Sequence, residues 1–444
     1  MINSIKKDEA ITCLFIGLLS TLIPSFIFSV WDGLFVAIIL FFFIRLFFKK
    51  YDRLLFTFSF GLFLLNSTIF LLILNFVNGS PYLTGGDDFL FYSAGKELYK
   101  TGFDINIEVD GVPLWASNYP AYLFLISFYY KFLSFFGLNS LHFYHLTLFK
   151  ISIGAIIPVL VNKVCDLISF GLSKLTFIVI IMLPTLVYHT TTFLRESIIS
   201  FFFVFGVFII LSNKPNVFKL LLILITTTIL YFIRPIHSIF FIIFSALYFI
   251  FNRKNAFGIK FYILIIFFII GYFIFDINNS ELFIQYQNTQ NSYFELTQLT
   301  SQEGSLGVKL YGSNNILMWP IKYLYYLMSP IPPPIVGTLN LLTIFISIGS
   351  ILWYLIVLGF LKSGLRKTNR LNPFFLTLFI LFLIAGAVGV NTTKDPRHLI
   401  FIFPLIIPFG LRELKTIPRY VLYLLLILIL IIGILSYILM KFTN

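Results

Sequence analysis

The run LLFTFSFGLFLLNSTIFLLILNF, Leu54 to Phe76, holds no charged residue, and its polar side chains are all small neutral ones. About 20 residues at 1.5 Å rise are enough to cross the hydrocarbon core of a bilayer as one helix, so this stretch reads as a transmembrane span. Similar runs recur outward from it in both directions, at Ile11 to Val30, around Ile151 to Val161, and at Val421 to Leu439. Of 444 residues, 59% are hydrophobic and 11% charged, whereas a soluble domain is about a quarter charged. Such a chain cannot clothe itself in a polar surface, which excludes a soluble globule. The first run has no small-residue cleavage site and a second span follows at once, so it is expected to be retained rather than removed as a signal peptide.

The formal net charge of +13 would suggest nucleic acid in a soluble protein. Here the Lys and Arg fall mostly in short loops between apolar runs, the pattern of cytoplasmic loops in a membrane protein, and no nucleic-acid partner is expected. Threading from Lys6 and Lys7 inside gives spans near 11–30, 34–48, 54–77, 140–161, 175–192, 197–211, 218–233, 236–251, 258–275, 336–361, 373–390, 398–411 and 419–440. The expected fold is therefore all-α, a polytopic bundle of about 13 spans, with the N-terminus inside and the C-terminus outside. The two cysteines, Cys13 and Cys165, imply no disulfide framework.

Two outer loops are long. The loop 78–137 opens polar and acidic, then turns aromatic in NYPAYLFLISFYYKFLSFFG, which reads as an interfacial or re-entrant helix, with a true span as the alternative. The loop 276–335 is rich in Asn, Gln and Ser, becomes amphipathic over Met318 to Met328 and ends in Pro330, Pro332, Pro333 and Pro334. It reads as an outer cap with its own interfacial helix. The organisation is thus two N-terminal spans (1–53), a core with the outer loop (54–275), the cap (276–335) and four C-terminal spans (336–444).

Ionisable residues beside hydrocarbon are costly and so mark function by default. Asp87 and Asp88 follow Gly85 and Gly86 directly after a span; two adjacent carboxylates there can take a proton from a hydroxyl, hold a cation, or cap the helix that starts at Phe89. Lys150, Arg195, Glu196, Arg234, His237, Lys394, Arg397 and His398 thread to the same face. Several cations converging there suit a phosphate or pyrophosphate, while each alone also fits snorkelling to headgroups, and Arg195 with Glu196 fits a local ion pair. Tyr92 completes the candidate binding set. No zinc spacing, phosphate-cradling glycine loop or GxSxG is present.

The stretch GGDDFLFYSAGKELYKTG, followed by NYPAYLFLISFYYKFLSFFG, resembles the GT-C superfamily of polytopic glycosyltransferases, in particular the branch of protein O-mannosyltransferases and lipid A aminoarabinose transferases. Asp87, Asp88, Phe91, Leu98 and Gly102 fall where that branch has an acidic pair, an aromatic, a helix ending in Leu or Met, and a glycine. Lys150 matches a basic residue at the outer end of the next span, and RHLIFIFPLIIPFG is similar to a late Arg-aromatic-Pro-Pro segment. The likeness covers most of the chain after residue 54 and is strongest from Asp87 to Tyr122.

The resemblance implies GT-C-like architecture in the cytoplasmic membrane and sugar transfer from a polyprenyl-phosphate donor to a glycan, lipid or protein acceptor on the outer face. Asp87 would be the general base with Asp88 second to it. Arg397 and Lys150, then Arg234 and Arg195, would offset charge on the departing lipid phosphate. Two departures stand out: Asn118 replaces a further acidic residue, and Tyr92 follows Phe91 where an aromatic hydroxyl is expected. No metal or other cofactor is expected, a divalent cation at Asp87 and Asp88 being the alternative. A polysaccharide polymerase or ligase and a lipid-linked substrate flippase are the competing functions; charges gathered at one face favour transfer, and a polar file across the bilayer favours transport.

Overall fold

The computed structural model describes residues 5–80, 87–109, 112–114, 120–138, 142–213, 215–252, 319–327, 341–366, 372–391 and 396–414. The fold is helical among these residues apart from a two-rung antiparallel ladder, Glu108 opposite Pro113 and Val109 opposite Val112. The chain forms two compact units, residues 1–241 with 400–408, and residues 242–399 with 409–444. The expected spans at 258–275 and 419–440 lie outside the described residues.

The first unit is built from α1 (Lys7–Ser20), α2 (Leu22–Ile27), α3 (Gly33–Arg45), α4 (Lys50–Asn78), α5 (Asp87–Lys100), α6 (Pro120–Ser134), α7 (Phe143–Leu167), α8 (Lys174–Met182), α9 (Pro184–Thr191), α10 (Glu196–Leu211), α11 (Asn216–Ile233) and the first part of α12 (Pro235–Phe251). The quoted run lies within α4, which stops at Gly79 in the left-handed region, φ 66°; glycine adopts that conformation without steric cost. Helix α1 packs mainly on α4 rather than on its neighbours in sequence. A side chain on Gly17 would overlap the backbone of Gly61, and one on Gly61 would overlap the backbone of Cys13. Further along, Ser20 Oγ lies 3.3 Å from Thr68 Oγ1. The two helices therefore run parallel, held by the small-residue contact that lets backbones close together where lipid supplies no hydrophobic drive. Gly61→Leu is expected to lower the thermal unfolding midpoint in detergent, at a cost of about 1–3 kcal/mol or more from overpacking, with Gly61→Ala milder. Equal midpoints for Gly61→Leu and the natural chain would show that this contact carries no weight.

Helix α7 lies antiparallel to α4, with Ser59 Oγ donating to Ala155 O at 2.9 Å and Lys163 paired to Asp52 at 2.8 Å. Lys174, at the start of α8, reaches Glu9 at 2.7 Å. These ion pairs mark one end of the unit. The other end carries Arg234 with Glu196 at 3.2 Å and His145 with Asp32 at 2.9 Å. Helices α1, α4, α8–α9 and α11 thus run from the Lys174 end to the Arg234 end, and α3, α7, α10 and α12 run back. The rings of Phe15, Phe26 and Trp31 are 62%, 69% and 73% exposed, a ratio suited to hydrocarbon rather than water.

In the second unit, α13 (Trp319–Leu327) packs on α15 (Pro373–Asn391), beside α14 (Leu341–Ser363). Its tyrosines enter glycine notches: Tyr323 lies against Gly386 and Tyr326 against Gly389. Burial pushes the Tyr323 phenol up to about 12, so it keeps its proton and donates to Leu383 O at 3.1 Å. The amphipathic helix expected over 318–328 is present, docked on a neighbouring helix. A 3-10 turn (Pro396–Ile402) leads into α16 (Phe403–Leu414), dividing the run expected as one span over 398–411.

Among the described residues five helical stretches are long and apolar enough to cross a membrane, Lys7–Ile27, Lys50–Asn78, Phe143–Leu167, Ile344–Ser363 and Pro373–Val390. The α8–α9 pair, bent by 47°, makes a sixth if counted as one span, and α3, α10, α11 and α12 are shorter apolar helices. The chain is by this measure a membrane protein.

Candidate functional site

The Arg234 end of the first unit gathers most of the described candidates around the short loop Thr192 to Arg195, between α9 and α10. Lys150 anchors that loop. It stands about two turns into α7 and is fully buried; its Nζ donates to His189 O at 3.0 Å and to the carbonyls of Thr192 and Leu194. The last carbonyls of a helix have no partner within it and carry the negative end of its dipole, so a buried ammonium there offsets both deficits. This geometry makes Lys150 the cap of α9 and the holder of the loop.

The loop presents Phe193 and Arg195 to the acidic-pair helix. Tyr92 of α5 stacks on Phe193 at 5.9 Å, and the Arg195 guanidinium lies 5.4 Å over the ring of Phe91. Arg195 Nη1 also donates to Ile233 O at 3.1 Å. Helix α6 braces α5 from behind. Ser127 Oγ donates to Gly95 O at 2.8 Å, Gly95 has Ile126 where a side chain would stand, and Tyr122 meets Phe91 edge-on at 5.2 Å while its hydroxyl donates to Phe193 O. The aromatic stretch expected as an interfacial helix is thus a brace that fixes α5 against the loop. Its exposed rings, Phe128 at 59% and Phe135 at 79%, point away from that contact.

Asp87 and Asp88 are the first two residues of α5, the position that acidic residues favour at a helix N-terminus. By helical register they stand one turn before Phe91 and Tyr92 respectively. Glu196, the first residue of α10 and 4% exposed, pairs at 3.2 Å with Arg234 in the α11–α12 turn. Lys96 lies 5.5 Å over the Tyr92 ring. Burial raises the Tyr92 phenol above its ordinary range, so it stays protonated. His237, in the first turn of α12 and 1% exposed, meets Phe401 edge-on at 5.0 Å. Phe401 belongs to the 3-10 turn that also contains Arg397 and His398. Lys394 lies outside the described residues.

Sequence reading missed a second polar group at this end. Asp32, on the turn before α3, holds the fully buried His145 at 2.9 Å, and Tyr129 Oη donates to His145 O at 2.8 Å. The signal available was modest: one acidic residue between the first two apolar runs and a His-x-x-His pair at the start of another. His142 caps α7 by accepting from Tyr144 N through Nδ1 at 3.1 Å. Burial, with His145 adding to it, pushes His142 down to about 4, which keeps Nδ1 free of a proton. The neutral ring is the form that folding favours, so its stabilisation is present above about pH 6.5 and is lost as pH falls toward 4. His142→Asn, which caps without titrating, is expected to flatten the acid limb of a stability-against-pH curve; an unchanged limb would remove His142 from that role.

Chemically, the arrangement brings the cations of Arg195 and Lys96 onto the rings of Phe91 and Tyr92, one helical turn after the residues that open α5. Among the described residues no group of His, Cys, Asp and Glu is disposed to hold a metal ion. No protein-family model, no curated protein and no solved structure matches the chain.

Proposed function

We propose that the chain is a membrane glycosyltransferase of the GT-C kind, moving a sugar from a polyprenyl-phosphate donor to a hydroxyl acceptor on the outer side of the cytoplasmic membrane. In this proposal the thirteen-span threading holds, and the Arg234 end faces outward. The observation that supports it is the contact of Arg195 with the ring of Phe91, a residue one helical turn after Asp87. Charge distribution favours transfer over transport. In the first unit the described ion pairs lie at the two ends, and the buried contacts between them are hydroxyls such as Thr191 to Ser67 and Ser59 to Ala155; a translocation path would need ionisable groups along the bilayer depth.

The chemistry follows from the charges. The acceptor oxygen attacks the anomeric carbon as the bond from that carbon to the phosphate oxygen breaks. Asp87 takes the hydroxyl proton, and the polyprenyl phosphate leaves with the bonding pair. Arg195 and Arg234 offset the charge gathering on that phosphate, and Tyr92 offers a protonated hydroxyl at the same place. Lys150 acts here through the loop it holds.

The test is release of polyprenyl phosphate from a panel of lipid-phosphate sugars by the purified chain. Consumption of one donor supports the proposal; a panel left intact by folded protein overturns it. Arg195→Lys, which keeps the charge and loses the planar fork, is expected to slow turnover about 10- to 100-fold, the worth of one charge-assisted hydrogen bond. Turnover equal to the natural chain would remove Arg195 from the donor site.

A further inference from the structure

We propose that the Lys174 end of the first unit carries a binding surface for the headgroups of anionic phospholipids, formed by Lys6, Lys7, Lys49, Lys50 and Arg53. All five are exposed. The parallel register of α1 on α4, with Ser20 level with Thr68 and Cys13 level with Gly61, brings Lys6 and Lys7 to the level of Arg53, so residues from two separate stretches of chain form one patch. What sets this end apart is where its acids go. Glu9 is engaged by Lys174 at 2.7 Å and Asp52 by Lys163 at 2.8 Å. Asp166, near Tyr51 and Asp52, accepts from Asn162 at 3.3 Å, so among the described residues of this end Asp8 and Asp166 stand against five cations that those pairs do not use. Phe48 O accepts from Arg53 Nε at 2.6 Å, fixing the arginine at the rim of the patch.

The patch borders directly on apolar surface. Leu46 and Phe47, separated from Lys49 by the buried Phe48, are 72% and 76% exposed, and Tyr51 is 37% exposed. A soluble anion would meet the cations and leave these side chains in water. An amphiphile with a negatively charged headgroup satisfies both, its phosphate on the ammonium groups and its acyl chains along Leu46 and Phe47. The ligand class is therefore a phospholipid of net negative charge, and a lipid carrying two phosphates engages more of the five cations than one. The site is independent of the transfer reaction proposed above and stands at the opposite end of the unit from it.

The experiment places the full chain in nanodiscs of phosphatidylcholine alone, or with one third phosphatidylglycerol or cardiolipin, and follows thermal unfolding together with the lipid retained after detergent extraction. The natural chain is expected to unfold at a higher temperature in the anionic discs and to retain anionic lipid. The triple variant Lys49→Gln, Lys50→Gln, Arg53→Gln is expected to unfold as the natural chain does in phosphatidylcholine, to lose most of the anionic shift, and to retain about tenfold less anionic lipid or lower still. Lys131→Gln, an exposed cation on α6, is expected to keep both. The proposal is overturned if anionic discs give no shift, if the triple variant keeps it, or if inorganic phosphate added to phosphatidylcholine discs reproduces it.

Discussion

Asp87→Asn is expected to leave the protein folded and to slow sugar transfer about 10²- to 10⁴-fold, the usual contribution of a general base. The change is nearly isosteric and loses only the favourable interaction of a negative charge with the N-terminus of α5, about 0.3–1 kcal/mol. In the transferase proposal, what it removes is the capacity to accept the acceptor's proton as the new bond forms. The measurement is single-turnover transfer at saturating donor, with thermal unfolding as the control on folding. Asp88→Asn, one position on, separates the two carboxylates: a small effect there and a large one at Asp87 assigns the base. Equal rates for Asp87→Asn and the natural chain would leave the acidic pair with capping alone, and the transferase proposal would lose its centre.

Lys150→Met is expected to have the largest effect on stability of any single change at this end. Methionine fills much of the same buried volume and carries no proton to give. Three carbonyls, those of His189, Thr192 and Leu194, would lose their shared donor in a region closed to water, at about 1–3 kcal/mol for each group left unsatisfied. The yield of folded protein and its unfolding temperature in detergent report this directly. A lysine whose work is to grip the donor's phosphate gives the opposite pattern: Lys150→Met would then fold normally and lose only donor affinity. The two outcomes distinguish a residue that shapes the site from one that touches its ligand.

The helices themselves were legible in the sequence because long uncharged runs admit few alternatives. The expected spans near 54–77, 197–211 and 236–251 coincide with α4, α10 and α12 within a few residues, their limits marked by Gly79 and by the turns at Arg195 and Pro235. Partners were harder to read. An uncharged stretch records that a side chain faces lipid or another helix without recording which, so the glycine contact of α1 with α4 and the docking of α13 on α15 had no signature in local pattern. The candidate site was legible in its members and less so in their roles. Arg195, Glu196, Arg234 and Tyr92 do meet around one loop, because alternating helices return their ends to the same level. Lys150 was visible as a cation in an apolar run, but its task depends on the carbonyls of His189, Thr192 and Leu194, which are bare because α9 stops at Thr191 and the chain turns extended at Thr192. The Asp32 and His145 pair joins residues 113 apart in the chain, beyond the reach of any spacing rule.

The parallel crossing of Gly17 on Gly61 bears on the order in which the chain is made. Helix α1 leaves the ribosome before α4, its mate, and α2 and α3 must enter the bilayer before that mate arrives. During this interval the glycine face of α1 meets only lipid. A chain cut after residue 48 would keep α1 to α3 in the membrane with that face permanently bare, exposed to any other small-residue helix nearby. Helix α1 is therefore not a detachable anchor: its packing is completed only when α4 arrives.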